Sequence, residues 1–176
     1  MESTILRNKS EIKESDNSDI YILDSDEKTA RSILESLKQK NIKKKIAILG
    51  RDNNFNRRAL ETLKIDFLIS PERELPKDKK KDTLKQRDSG LNHVLAKIAK
   101  EKNISIIIDF NDFNSIKDKK QKSLRLARII QNIEICRKAK CNVLICDFSN
   151  QTKEKELRAF GFSIGMSSQQ VRNCII

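Results

Sequence analysis

A single histidine, His93, occurs in the 176 residues, inside the stretch "DSGLNHVLAKIAKEKNISIII" that runs from Asp88 to Ile108. A metal site would need companions of the His, Cys or carboxylate type converging on it from other elements, and the chain has no second histidine. Acyl-transfer catalysis would need a nucleophile and an orienting acid within reach of the imidazole, and nothing in the neighbouring sequence marks either. At about 100° per residue, Leu91, Val94, Leu95, Ile98 and Ala99 form one apolar stripe of a helix. His93, Lys97 and Lys100 then share the opposite face. The expectation is an exposed histidine beside two lysines, a surface that serves phosphate or ribose contact or is merely solvated.

Two arginine pairs carry a related chemistry. In "GRDNNFNRRAL", Gly50 to Leu60, Arg57 and Arg58 are expected in the first helical turn after a strand end. Exposed amides there favour anions, and the planar guanidinium fork matches phosphate. The alternative leaves one arginine solvated and pairs the other with Glu61. Arg125 and Arg128 fall with Asn132 on one side of a long helix, away from Leu126, Ile130 and Ile133. Asp24, Asp109 and Asp147 each end a strand, where three carboxylates could hold magnesium or could each cap the next element. Neither a G-x-G-x-x-G fingerprint nor a Walker loop is present. The enzyme reading left open is a stand-alone metal-dependent phosphoesterase built on those aspartates.

The elements that must position these groups follow a regular alternation. Continuous apolar runs occur at 20–24, 45–49, 65–70, 104–109 and 142–147, and helical patterns separate them. Unbroken apolar runs suit strands covered on both faces, so an α/β protein with a parallel sheet and right-handed crossovers is expected. Residues 1–18 read as a flexible segment or one edge strand over "TIL", and residues 19–176 as a single domain. A last helix begins at "MSSQQV", with Ser167 and Gln170 at capping-box spacing. Two insertions break the pattern: Pro71 to Gly90, which holds both prolines and seven basic residues, and "NDFNSIKDKKQKS" after Asp109. Loops of this composition are either solvated and mobile or set against phosphate.

The charge balance narrows the partner. With 37 Lys and Arg against 25 Asp and Glu the net charge is +12, which favours a polyanion through release of its counterions. No apolar run approaches the roughly 20 residues of a membrane helix. No membrane partner and a cytoplasmic location are therefore expected. Cys136, Cys141, Cys146 and Cys174 contain no C-x-x-C pair, which argues for idle packed thiols over a zinc knuckle or disulfides. With 7 Phe, 1 Tyr and no Trp, the chain offers little for stacking single-stranded bases.

The blocks "NRRALETLKIDFLISPER", "DSGLNHVLAKIAKEKNISIIID", "KSLRLARIIQNIEICRKAKCNVLICDFS" and "KELRAFGFSIGMSSQQV" occur in an order and spacing that resemble the archaeal ribonuclease P protein component 3 family, related to the thirty-kilodalton subunit of the eukaryotic enzyme. The D-S-G-x-N-H-V-L-A-K-x-A run is the most specific of them. The resemblance covers roughly Ile20 to Ile176 and implies a TIM-barrel-like (β/α) fold. Family members carry about two further βα units at the N-terminus, and a closed eight-stranded barrel normally takes at least ~200 residues, so an incomplete or reduced barrel is expected here.

The resemblance further implies a protein subunit of ribonuclease P, which removes 5′ leaders from precursor tRNA. The chemistry belongs to the RNA and its own Mg2+, with no cofactor on the protein and no catalytic residue in it. Implied partners are ribonuclease P RNA, ribonuclease P protein component 2 in a heterotetramer of two copies each, the other protein subunits, and precursor tRNA as substrate of the holoenzyme. Arg57, Arg58, His93, Lys97, Lys100, Arg125 and Arg128 become the RNA-contact candidates. A third reading, a non-enzymatic interaction module, would use apolar surface left uncovered by a shortened barrel.

Overall fold

A computed structural model describes residues 2–13, 16–75, 79–83 and 86–172. Six strands, β1 (Ser3–Leu6), β2 (Ile20–Leu23), β3 (Lys45–Leu49), β4 (Phe67–Ile69), β5 (Ser105–Asp109) and β6 (Val143–Cys146), form one sheet in sequential order, and every pairing is parallel. The "TIL" segment is thus the edge strand β1, in register with β2 from Ser3↔Ile20 to Leu6↔Leu23. Among the described residues β1 and β6 do not pair, so the sheet stays open with six strands where a closed TIM barrel has eight.

The connecting helices are α1 (Glu27–Gln39), α2 (Asn53–Thr62), α3 (His93–Glu101), the short α4 (Phe110–Asn114), the long α5 (Lys119–Ala139), α6 (Glu154–Ser163) and α7 (Ser168–Arg172). Asp26, Asp52, Asn92, Asp109 and Asp118 cap the first five, each accepting a backbone N–H of the opening turn. The expected capping box opens α7. The Gln170 N–H donates to Ser167 Oγ at 3.2 Å and the Ser167 N–H to Gln170 Oε1 at 3.0 Å. Helix α4, within the second insertion, and helix α6 were not separated from the loops by periodicity.

Strand alternation sorts the core into two layers. Tyr21, Leu23, Ile46, Ile48, Leu68, Ile106, Ile108, Val143 and Ile145 pack beneath the helices. Ile20, Ile22, Ala47, Ile69, Ile107, Leu144 and Cys146 face the other way and form a second buried cluster to which no helical residue contributes. Leu49, Ile69, Ile107 and Leu144 stand side by side in register across four strands and pack in this cluster. This is barrel-wall packing without closure.

Cys136, Cys141 and Cys146 are free and buried, as packed thiols should be, and Cys174 lies outside the described residues. Burial, reinforced by the nearby Asp109 carboxylate, pushes the Cys146 thiol to about 12. Among the described residues no helix is long and apolar enough to cross a membrane.

Candidate nucleic-acid interface

Helix α3 starts at His93 because Asn92 turns the chain into it, accepting the Leu95 N–H at 2.9 Å. Leu95, Ala96 and Ala99 point inward, while His93, Lys97 and Lys100 are exposed. The predicted apolar stripe is rotated by a fraction of a turn. Val94 is 59% exposed, and Ala96 takes its place in the core. The reason is packing: α3 lies against both α2 and α5, and the small Ala96 lets the backbones approach. Among the described residues neither Lys97 nor Lys100 has a carboxylate within ion-pair distance, so their charge is directed at solvent.

Arg57 and Arg58 sit in the second turn of α2, not the first, since Asp52 starts the helix earlier by accepting the Phe55 N–H at 2.6 Å. Both are exposed and both are paired. Arg57 Nε meets Glu61 at 2.8 Å, and Arg58 Nε meets Glu27 of α1 at 3.1 Å. The hydrogen bond and charge of Glu61 raise the Arg57 pKa. Such exposed, screened pairs are weak, so a phosphate can displace them at little cost. Arg57, Arg58, His93, Lys97 and Lys100 therefore all stand on the outer surfaces of α2 and α3, two helices packed against each other.

Arg125 and Arg128 take another role, which corrects their selection as RNA contacts. They are 5% and 2% exposed, and their guanidinium groups face the Pro71–Gly90 insertion. Arg125 donates from Nε and Nη2 to Glu72 Oε1 at 3.4 and 3.3 Å, and from Nη2 to Asp112 at 2.8 Å. Arg128 grips Asp82 with Nε and Nη2 and reaches Glu74 with Nη1 at 3.0 Å. Burial alone would depress both pKa values, but the carboxylates outweigh it and raise them. The side chain of Gln131 exchanges hydrogen bonds with the Arg87 backbone, and Asn132 Nδ2 donates to the Ser89 carbonyl at 3.1 Å. The polar stripe on α5 is the seat of a loop. The expectation of a solvated or phosphate-bound insertion is corrected where Glu72, Ser89 and Gly90 are buried, while Glu74, Lys79, Lys81, Thr83 and Gln86 are exposed.

Within that insertion the side chain of Lys80 is 4% exposed. Its Nζ donates to the carbonyls of Pro71 and Arg51 at 3.2 and 3.3 Å and lies 3.9 Å from Asp88, and desolvation lowers its pKa. Asn56, fully buried on α2, accepts the Arg51 N–H at 2.8 Å and donates to the Gly90 carbonyl at 3.0 Å. It ties the turn before His93 to α2. Sequence reasoning passed over Asn56, although an Asn between Phe55 and Ala59 on an otherwise apolar face is the signal of a buried polar clamp.

The strand-end aspartates do not converge. Asp24 pairs with Arg7 and Arg51, both at 3.5 Å. Asp109 caps α4, and burial raises its pKa. Asp147 accepts the Ser149 N–H and hydroxyl and the N–H groups of Gln151 and Thr152. Burial pushes this carboxyl up, but those bonds outweigh it and hold it at about 2. Among the described residues no group of three or more His, Cys, Asp or Glu side chains could hold a metal.

The Asp147 turn carries a pH prediction. A folded pKa of about 2 against the ordinary 3.8 is a depressed one, so its contribution is complete above the unfolded value and is lost as pH falls through the folded one. The wild-type protein should lose roughly 2 kcal/mol between about pH 5 and pH 2 through this group, and Asp147→Asn should lack that part of the slope. Urea titrations of both proteins across that range measure the difference.

No family model matches the chain. Ribonuclease P protein component 3 of Methanococcoides burtonii is 38% identical over 66 residues, which are 38% of this chain and 22% of that protein. The protein of the same name from Methanococcus vannielii is 32% identical over 114 residues, 64% of this chain and 44% of that protein. The chain resembles ribonuclease P protein component 3. The matched part spans less than half the length of either of these curated relatives. A chain in the cryo-EM structure of archaeal ribonuclease P with mature tRNA has the same fold, with a TM-score of 0.68 at 20% identity over 98% of this chain and 78% of that one. A crystal structure of an uncharacterized protein superposes at a TM-score of 0.50 with 8% identity, over 73% of this chain and 34% of that one. In sequence the chain thus resembles component 3 of ribonuclease P, and in fold it resembles a chain of an archaeal ribonuclease P structure.

Proposed function

We propose that the chain is a protein subunit of an archaeal-type ribonuclease P, binding and stabilising the catalytic RNA that removes 5′ leaders from precursor tRNA. The observation that carries this reading is the cationic outer surface of α2 and α3, whose lysines Lys97 and Lys100 have no carboxylate partner among the described residues. Phosphates of a folded RNA fit such a face, because each contact releases counterions and none needs an aromatic platform. Arg57, Arg58, His93, Lys97 and Lys100 make the contact. Arg125 and Arg128 act one step behind it, by holding the insertion that precedes α3. The protein needs no cofactor in this reading, and the Mg2+ that cuts the phosphodiester belongs to the RNA. Component 2, in a heterotetramer of two copies each, and the other protein subunits complete the particle in the cytoplasm.

The test is RNA affinity as a function of salt. Wild-type protein should bind ribonuclease P RNA with a steep negative slope of log affinity against log salt. The Lys97→Ala/Lys100→Ala protein should bind more weakly, with a slope shallower by about two, one per lost phosphate contact. Binding indifferent to salt would sink the proposal. So would Mg2+-dependent hydrolysis of RNA by the protein alone that disappears in Asp109→Asn, the behaviour of a stand-alone phosphoesterase.

A further inference from the structure

A groove of about 580 Å3 opens where the C-terminal ends of α1 and α2 meet the chain leading into β3. That volume is in the range of specific binding clefts, roughly 300–1,000 Å3. Its floor is apolar, built from Leu34, Leu37, Ile42, Ile46 and Leu63. Its rim is basic: Arg31, Lys38, Lys43, Lys44 and Lys64 stand around it against the single acid Glu35. Two of these cations are engaged already. Arg31 pairs with Glu27 at 3.0 Å, and Lys44 lies 3.7 Å from Asp16 and over the Tyr21 ring. Lys38, Lys43 and Lys64 are exposed and have no carboxylate partner among the described residues.

We propose that this groove docks an acidic amphipathic segment of a partner protein. Apolar side chains of the segment enter between Leu34, Ile42 and Leu63, and its flanking carboxylates meet Lys38, Lys43 and Lys64. The two halves of the site exclude the other polyanion. A phosphate backbone laid on a leucine and isoleucine floor would lose its hydration without gaining donors there, and no aromatic ring lines the groove to stack a base. An apolar floor ringed by unpaired lysines is complementary to a strip of Leu-type residues edged by Glu or Asp, and charge of that sign speeds encounter. The inference stands apart from the RNA reading, since none of its residues belongs to the α3 face.

The experiment uses the full chain and a fluorescein-labelled synthetic peptide of about 14 residues, with Leu at helical i, i+3, i+4 and i+7 positions and Glu elsewhere. Anisotropy should show saturable binding. Lys38→Glu/Lys43→Glu/Lys64→Glu should weaken it at least tenfold, and Leu34→Asp likewise, with circular dichroism verifying that both variants stay folded. The counterpart peptide with Lys in place of Glu should not bind, and Lys97→Ala/Lys100→Ala should leave peptide binding unchanged while lowering RNA affinity, which separates failure here from failure of the RNA reading. Three results would overturn the proposal. One is no binding of the acidic peptide at millimolar concentration. Another is loss of RNA binding in the Lys38, Lys43 and Lys64 variant together with displacement of the peptide by an RNA duplex, which would make the groove an RNA site. The last is a doubled mass in size exclusion that Leu34→Asp returns to monomer, which would assign the groove to a second copy.

Discussion

Replacing Arg125 with alanine will destabilise the protein by about 3–5 kcal/mol, the usual penalty for removing one partner of a buried ion pair. Glu72 is completely buried. Its Oε1 accepts only from Arg125, and its Oε2 has no hydrogen-bond partner among the described residues. Without the guanidinium the Glu72 carboxyl is left buried with neither oxygen hydrogen-bonded among the described residues. Asp112, the other partner, is half-exposed and can rehydrate, so the loss comes mainly from Glu72. Urea unfolding of Arg125→Ala measures it. The double variant Arg125→Met/Glu72→Leu should recover most of the stability, because an apolar pair of similar size makes the same packing without desolvating a charge. A single-variant loss below about 1 kcal/mol, the range of an exposed pair, would refute the account.

The second large effect is expected at Gly90. Its φ of +71° lies in the left-handed region, and a Cβ there would fall 1.8 Å from the Pro71 carbonyl oxygen and 2.9 Å from Asn56 Nδ2. The backbone strain alone costs roughly 1–2 kcal/mol. The clash adds more, because the first obstacle is backbone and the second is the clamp that ties this turn to α2. Gly90→Ala should therefore destabilise by more than about 4 kcal/mol, or displace the turn that sets the N-terminus of α3. Gly165 supplies the control. Its φ is +85°, yet nothing lies within 4 Å of an added Cβ, so Gly165→Ala should cost only the strain. Equal unfolding midpoints for the two variants would show that close approach to Pro71 is not what position 90 enforces. A folded Gly90→Ala protein should also bind RNA less tightly than wild type, because His93 and Lys97 move with the turn.

Fold and site were legible to different depths. The runs at 20–24, 45–49 and 104–109 became β2, β3 and β5 because an unbroken apolar segment has few ways to hide both of its faces. The outward position of His93, Lys97 and Lys100 followed from helical spacing, a local property. The same spacing failed for Val94, since the phase of a nine-residue helix is set by the neighbours it packs between. It also misled at Arg125 and Arg128. A polar stripe on one helix shows only that something polar faces it, and whether that is water, RNA or a loop depends on contacts from far along the chain. Glu72 and Asp82 lie 53 and 46 positions from the arginines they neutralise.

From its sequence alone this protein was determined to be a basic, aromatic-poor α/β chain with a parallel sheet, resembling component 3 of ribonuclease P. The class comes from composition, unbroken apolar runs and the 3.6-residue period, which are local, and the resemblance comes from the motif blocks. Only the tertiary structure decided that Asn56 fastens the turn before His93 and which cations remain available to an anion. Those outcomes depend on which carboxylate or carbonyl meets each donor after folding, and pairings between residues 34 to 53 positions apart leave no periodic trace in the order of residues.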